Sequence, residues 1–195
     1  MQLIVLRHAA TAWNRERRIQ GRADPPLSAE GRAEVAGWSL PAAWLSLPCL
    51  VSPLARAGET AALLGFAEPV VVPELIEMDW GDFEGRTLAD LRAELGAAMS
   101  ANEALGLDFR PPGGESPRDV MERLDPWLAG LAGRPGAAVV VTHKGVRRAL
   151  LARATGWDMR GPPPVKVRDH EALCLDLDGS GRLGVAGIVS LRRKT

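Results

Sequence analysis

The chain has 195 residues, of which 46% are hydrophobic and 25% are charged, a composition typical of a globular protein with one substantial core. Its 24 basic and 24 acidic side chains cancel, so no overall positive field favours nucleic acid and any anion site must be local. No apolar run approaches bilayer-spanning length and no cationic leader precedes one at the N-terminus, so we expect a cytoplasmic protein without a membrane partner.

The first element along the chain is the apolar run 3–6, which predicts a buried strand of a parallel sheet. Arg7 and His8 follow it directly. Ligands of open α/β sheets bind outside the carboxyl ends of strands, so this strand would deliver an arginine and a histidine to a site. Taken alone, such a dipeptide is more often a surface feature than a catalytic one.

The next stretch is charged and predicts a solvated loop that contains Gln20 and Gly21. Ser28 is placed to cap a helix that begins at Ala29 and extends to about Trp38.

Two further strands are predicted at 49–52 and 70–72, each followed by a segment with a candidate site residue. Arg56 opens the helix after the second strand, and Glu77 lies in an acidic, aromatic loop after the third. Each has an alternative interpretation, a surface helix residue for Arg56 and one acid among several for Glu77. Leucines at 88, 91 and 95 then share one face of a predicted helix.

Segment 100–115 is the least regular part of the chain and predicts a loop or cap over the site within a single domain of residues 1–195. Ser116 is placed to cap the following helix, in which Pro126 predicts a kink or a break.

The apolar run 137–141 predicts another buried strand, and it delivers His143 to the same sheet edge before a helix over 145–154. A core histidine with satisfied hydrogen bonds is the alternative for His143. Alternating residues at 173–177 and 183–189, joined by a turn at 178–181, predict a hairpin.

The two cysteines, Cys49 and Cys174, lie in strand-like surroundings and predict buried thiols in a reducing compartment.

Strands that alternate with helices predict an α/β fold, a three-layer α/β/α sandwich with a mainly parallel central sheet. Four strand ends would bring candidate side chains together at one edge of this sheet, namely Arg7-His8, Arg56, Glu77 and His143.

Five motifs in chain order resemble those of the histidine phosphatase superfamily, the phosphoglycerate mutase-like enzymes. They are Arg7-His8 with Thr11 and Asn14, Ser52-Pro53-Leu54-x-Arg56-Ala57-x-x-Thr60-Ala61, Leu75-x-Glu77-x-x-x-Gly81-x-Phe83-Glu84-Gly85, Pro112-Gly113-Gly114-Glu115-Ser116, and Val141-Thr142-His143-x-Gly145.

The resemblance implies that His8 is the nucleophile and becomes a phosphohistidine, with Glu77 as proton donor and then base. Such a nucleophile must be neutral, and adjacent arginines disfavour its charged form. The resemblance also implies a phosphate-binding set, no cofactor, no metal ion and a small phosphorylated substrate. The phosphate-binding set consists of Arg7, Asn14, Gln20, Gly21, Arg56 and His143.

Two residues depart from the family pattern. Ala9 replaces the usual glycine, and its methyl group could crowd the turn beside the nucleophile. Lys144 follows His143 where relatives usually have a small residue, and it either points to solvent or adds a cation at the phosphate rim.

A phosphatase is the favoured function, because the span from Glu77 to His143 is compact and the Gly-Gly-Glu-Ser run is typical of phosphatase members. The alternatives are a phosphoglycerate mutase and a non-catalytic, anion-binding regulatory protein. The three histidines, His8, His143 and His170, lack metal-ligand spacing, which favours metal-independent chemistry. A homodimer is compatible with the sequence but is not indicated by it.

Overall fold

A computed structural model describes residues 1–192 of the chain, and these residues build a six-stranded sheet. The strands are β1 (Gln2–Arg7), β2 (Cys49–Val51), β3 (Val70–Val71), β4 (Ala137–Thr142), β5 (Glu171–Leu177) and β6 (Leu183–Ser190). Their order across the sheet is β3-β2-β4-β1-β5-β6. The first four strands of this order run parallel, and β5 pairs antiparallel with both β1 and β6. The prediction of a mainly parallel α/β sheet and of a terminal hairpin is confirmed.

Eight α-helices lie within the described part of the chain. They are α1 (Ala12–Arg15), α2 (Ala29–Ala36), α3 (Ala42–Leu45), α4 (Ala55–Leu63), α5 (Leu88–Leu95), α6 (Ala97–Glu103), α7 (Pro117–Leu131) and α8 (Lys144–Thr155). Ser28 accepts a hydrogen bond from the backbone of Gly31, and Ser116 accepts one from Asp119, so both predicted helix caps are confirmed.

Helices cover both faces of the sheet because the side chains of β1 and β4 alternate between two cores. Leu3, Val5 and Val140 belong to one core, which α5, α7 and α8 complete. The other core contains Ile4 and Val139 and is completed by α2 and α4. This is the predicted three-layer arrangement, and it leaves the carboxyl ends of β1, β2 and β4 side by side at one edge.

The predicted break at Pro126 is absent, because α7 continues as one helix to Leu131, and the alternative of a kink stays a prediction. The proline removes one backbone donor, but the buried face at Val120, Leu124 and Leu128 holds the helix against the core.

Segment 100–115 is more ordered than the predicted loop, since it begins within α6 and contains a 3₁₀ turn at Gly106–Asp108. The single helical turns α1 and α3 were not predicted from the sequence.

Both cysteines are free and buried, as predicted. Burial raises the pKa of the Cys49 thiol to about 12, so this group is an inert part of the core. No helix within residues 1–192 is both long enough and apolar enough to cross a membrane.

Candidate active site

The two neighbouring strands β1 and β4 bring His8 and His143 together. His8 follows β1, and its backbone N–H donates to the carbonyl of Thr142, the last residue of β4 (2.9 Å). His143 comes next, and the centroids of the two imidazole rings are 5.1 Å apart. The predicted convergence of these strand ends is therefore present in the structure.

The imidazole of His8 is held in one tautomer by its own turn. Its Nδ1 lies 2.7 Å from the carbonyl oxygen of Ala9, and because a carbonyl only accepts, Nδ1 carries the hydrogen. The lone pair is then on Nε2. Burial, together with the charges of Arg7 and Arg56, holds the pKa of His8 well below its usual value of 6.5. His8 is thus a neutral imidazole with an unprotonated Nε2.

Ala9 fits its position without the crowding that the sequence suggested. Its side chain packs into the core between the sheet and α4, and its backbone is not in the left-handed conformation that would require glycine. Its N–H donates to the hydroxyl of Thr60 (3.0 Å), which in turn donates to the carbonyl of Arg56 (2.7 Å). The turn after the nucleophile is therefore tied to α4.

Arg56 is fully buried in the first turn of α4, rather than at a strand end as the sequence analysis placed it. One terminal nitrogen donates to the carbonyl of Ala23 (2.7 Å) and to the carboxylate of Asp24 (3.2 Å). The other donates to the carbonyl of Gly21 (2.7 Å). Three acceptors from one loop therefore fix the plane of this guanidinium at the wall of the cavity.

The loop that holds Arg56 is itself fixed by Glu84. The carboxylate of Glu84 accepts from the backbone N–H groups of Arg22 (2.6 Å) and Ala23 (2.9 Å). Gly21 has a φ of +53°, and a Cβ built there would lie 1.9 Å from a Glu84 oxygen. Only glycine fits at this position, so Gly21 shapes the loop as well as lining the cavity.

Arg7, the last residue of β1, donates to the carboxylate of Asp169, which lies just before β5. Asp169 also lies 3.5 Å from a guanidinium nitrogen of Arg147. The contact between Asp169 and Arg7 could not be predicted from the sequence, because no local pattern links residues that are 162 positions apart.

His143 is fully buried and does not line the cavity, unlike the other predicted catalytic side chains. Its Nε2 lies 2.6 Å from the hydroxyl of Ser52, and its Nδ1 has no hydrogen-bond partner among the described residues. Burial, His8 and the two arginines hold the pKa of His143 well below 6.5. His143 is therefore a neutral imidazole packed against His8.

Glu77 lies six residues beyond β3, in a loop rather than at a strand end, and its carboxylate bridges to α8. Its oxygens accept from the backbone N–H groups of Met78 (2.8 Å) and Gly145 (3.0 Å). A Cβ at Gly145 would lie 2.3 Å from the carboxylate, so this glycine gives Glu77 access to the first turn of the helix. Free N–H groups at a helix start favour an acidic side chain.

Two charged side chains fix the loop on either side of Glu77. Arg123 of α7 donates to the carbonyl of Ile76 (2.6 Å), one residue before Glu77. Glu115, from the Gly-Gly-Glu-Ser run, accepts from the N–H of Asp79 (3.0 Å) and donates its own N–H to the carbonyl of Asp79 (2.9 Å). This explains what the run contributes in this chain.

A cavity of about 460 Å³ opens in front of these groups, within the size range of small-molecule sites. Its inner wall includes most of the predicted site: Arg7, His8, Asn14, Gln20, Gly21, Arg56 and Glu77. Asn14 accepts from the N–H of Thr11 (2.9 Å) through its oxygen, which leaves the amide N–H₂ free to donate. Residues 1–192 contain no group of three or more side chains arranged to bind a metal ion.

The family model of the histidine phosphatase superfamily (branch 1) matches residues 3–185. A 2,3-bisphosphoglycerate-dependent phosphoglycerate mutase of Methylobacterium radiotolerans is 32% identical, over 85% of this chain and 84% of the relative. A glucosyl-3-phosphoglycerate phosphatase of Mycolicibacterium vanbaalenii is 36% identical, over 80% of this chain and 74% of the relative.

Two solved structures resemble the whole chain. TTHB049 from Thermus thermophilus is 38% identical with a TM-score of 0.72, and the match covers 98% of this chain and 100% of that one. The mycobacterial glucosyl-3-phosphoglycerate phosphatase in complex with VO3 is 28% identical with a TM-score of 0.77, and the match covers 99% of each chain.

Proposed function

The chain belongs to branch 1 of the histidine phosphatase superfamily, and we propose that it is a metal-independent phosphomonoesterase that acts through a phosphohistidine on Nε2 of His8. The observation that carries this proposal is the hydrogen bond from Nδ1 of His8 to the carbonyl of Ala9. It leaves Nε2 as the nucleophilic atom, at a cavity wall that also presents Arg7 and Arg56. These two cations supply the charge that a metal ion supplies in other phosphatases.

In the first step, Nε2 of His8 attacks phosphorus and the bond from phosphorus to the ester oxygen breaks. The protonated carboxyl of Glu77 gives its proton to the departing oxygen, so the alcohol leaves neutral. Arg7 and Arg56 bind the equatorial phosphoryl oxygens, where charge is concentrated in the transition state. The amide of Asn14 is an additional neutral donor to those oxygens, and Gln20 and Gly21 complete the wall.

In the second step, the Glu77 carboxylate takes a proton from water and the resulting hydroxide oxygen attacks phosphorus. The bond from Nε2 to phosphorus breaks, inorganic phosphate leaves, and His8 and Glu77 return to their starting protonation states. His143 acts by holding the ring of His8, against which it packs.

A phosphoglycerate mutase is the second candidate, because several relatives carry that name. The two activities share the nucleophile and differ in whether water or a second alcohol takes the phosphoryl group. The short span from Glu77 to His143 and the Gly-Gly-Glu-Ser run favour water as the acceptor.

We also propose that segment 100–115 forms a cap, since Gly106 and Phe109 line the cavity.

The first test is hydrolysis of p-nitrophenyl phosphate in the presence of a chelator. The second test incubates the enzyme with 3-phosphoglycerate, with and without 2,3-bisphosphoglycerate, and measures inorganic phosphate and 2-phosphoglycerate. We expect chelator-resistant release of p-nitrophenol, and release of inorganic phosphate in excess of 2-phosphoglycerate. Activity that chelation removes and a divalent ion restores would contradict the metal-independent mechanism. Isomerisation without phosphate release would identify a mutase, and no turnover of any ester would identify a binding protein.

We propose the cytoplasm as the location, because Cys49 and Cys174 are both free thiols. A homodimer stays a prediction. Light scattering measures the molar mass in solution and so tests it directly.

A further inference from the structure

The outer part of the cavity, defined here as the lining residues other than the predicted site, carries an excess of positive charge. Three cations that line it, Arg17, Lys144 and Arg148, have no carboxylate partner within residues 1–192. Two other arginines on the same wall are paired, Arg18 with Glu16 and Arg92 with Glu103. The chain as a whole has no net charge, so this local excess is a feature of the cavity.

Lys144 and Arg148 are the first and fifth residues of α8, so they lie on the same face of the helix, one turn apart. Lys144 follows His143 directly, which places this pair beside the phosphoryl site. The guanidinium of Arg148 lies over the ring of Trp157, 4.8 Å from its centroid, and this contact orients it. Partial burial, Arg7, Arg148 and Arg147 lower the pKa of Lys144, because like charges and loss of water both disfavour its ammonium form. The carboxylate of Asp169, which Arg7 and Arg147 contact, opposes this effect only in part.

The backbone of the cavity wall gives a second, independent observation. Arg17 (φ 58°) and Met159 (φ 61°) are the non-glycine residues with left-handed backbone in the described part of the chain, and both line this cavity. Such a conformation costs a side-chain-bearing residue energy, and strained residues of this kind concentrate at ligand sites.

The remaining outer wall is apolar. Trp80 and Phe109 form a tilted aromatic pair with centroids 5.5 Å apart, and Leu88 and Met159 line the same space. The cavity is therefore larger and more apolar than a phosphate ion alone would need, and it fits an organic alcohol.

We propose that the substrate is a phosphomonoester whose alcohol has an apolar body and carries a second oxyanion, which Lys144 and Arg148 bind. Arg17 lines the same cavity and adds to its positive charge. The inference rests on the proposed function for the position of the first phosphate. It goes beyond that function by specifying the charge and the character of the leaving group.

The test uses matched substrates, 4-(carboxymethyl)phenyl phosphate and its neutral primary amide. The two phenols are similar leaving groups, so the ratio of kcat/KM for acid over amide isolates the added charge. We expect the wild-type ratio to exceed one, through a lower KM for the acid. We also expect the ratio to decrease between 0.05 M and 0.5 M salt, because salt screens exposed charges.

The double variant Lys144→Met/Arg148→Met removes both charges and keeps long apolar side chains. The ratio should fall by roughly fivefold to 25-fold, since each exposed ion pair contributes about fivefold at most. The control is Arg134→Met/Arg182→Met, which removes two exposed cations that line neither this cavity nor the small pocket beside Lys144 and Arg148, and that also lack a carboxylate partner within residues 1–192. It should leave the ratio at the wild-type value.

A wild-type ratio of one or less, or a ratio that is the same in the double variant and the wild type, would overturn the inference. Calorimetric binding of the corresponding non-hydrolysable phosphonates measures the same ratio without turnover. Charge-dependent binding without hydrolysis of either ester would therefore overturn the proposed function alone. Hydrolysis without charge preference would overturn only the second-oxyanion site.

Discussion

The inner and outer ends of the cavity differ in how their charges are held. At the inner end, Arg56 donates to three acceptors of one loop and Arg7 donates to Asp169. At the outer end, Lys144 and Arg148 have no carboxylate partner within residues 1–192. Groups that are fixed before the substrate arrives suit a reaction that depends on positioning. Unpaired surface cations suit recognition, because the ligand itself supplies their partner.

The two ends also differ in how they relate to the motifs that resemble those of the family. The inner end contains Arg7, His8, Arg56 and Glu77, which come from those motifs. The outer end depends on Lys144, which departs from the pattern that the resemblance implies, and on Arg148 one helical turn later. Changes at the inner end should therefore affect the rate on every ester, and changes at the outer end should affect the choice among esters.

The largest effect is expected for Arg56→Ala. The variant loses a donor to the transition-state phosphoryl oxygens, which typically costs on the order of 100-fold to 1,000-fold in kcat. Arg56→Lys should recover little of this rate, because an ammonium cannot reproduce the forked donors that bind Gly21, Ala23 and Asp24. Steady-state kinetics on p-nitrophenyl phosphate measures both variants.

Arg153→Ala is the matched control for Arg56→Ala, since Arg153 pairs with Asp125 on the surface, outside the cavity. It should retain wild-type kcat. Thermal unfolding of each variant separates a lost catalytic contact from a lost fold. A folded Arg56→Ala protein with wild-type kcat would contradict the claim that the inner end of the cavity sets the reaction rate.

The next largest effect is expected for Glu77→Gln, and it should depend on the leaving group. A general acid contributes roughly 100-fold to 10,000-fold, and less when the departing oxygen is already stable as an anion. Single-turnover formation of phosphohistidine should therefore slow more for an alkyl phosphate than for p-nitrophenyl phosphate. Equal slowing of the two esters would exclude Glu77 as the acid and make Asp79, Asp82 or Glu84 the candidates.

Gly145→Ala should show the same leaving-group dependence in a chain that retains Glu77. The new methyl group would lie 2.3 Å from the carboxylate oxygen and would displace it from the start of α8. Gly130→Ala is the control, because Gly130 is an exposed position of α7 with nothing within 4 Å of its Cβ. If both alanine variants behave alike, the contact between Glu77 and α8 has no catalytic role.

The sequence was sufficient to predict the sheet, the strand ends at Arg7-His8 and His143, and the helix caps. Each of these follows from a local pattern, such as an apolar run or a serine before a helix. The contacts that fix the side chains could not be predicted, because they join distant segments: Asp169 to Arg7, Glu84 to the loop around Gly21, and Glu115 to the loop around Glu77. The proximity of Lys144 to Arg148 was not predicted, because the predicted helix over 145–154 excluded Lys144, whereas α8 begins at Lys144.

A smaller effect concerns pH. Burial, and then neighbouring positive charge, hold the pKa values of His8 and His143 well below 6.5 in the folded chain. In the unfolded chain both imidazoles have the ordinary pKa of about 6.5. Between pH 6.5 and the lowered pKa values, the unfolded chain therefore binds more protons than the folded chain. The free energy of unfolding should therefore fall as the pH decreases below 6.5, by up to about 1.4 kcal/mol per pH unit for each imidazole. Urea unfolding of wild type and His8→Gln between pH 7 and pH 5 measures this, and the variant should show the shallower dependence. Identical slopes would mean that His8 is not held neutral by the inner end.

The central claim is that Nε2 of His8 carries the phosphoryl group during turnover, and chemical trapping tests it most directly. The enzyme is quenched within one turnover of a ³²P-labelled ester and then digested, and the labelled peptide is identified by mass spectrometry. We predict one labelled site, on His8, that is stable in base and labile in acid, and no label in His8→Ala. Label on a serine or on another histidine, or full activity of His8→Ala, would contradict the account.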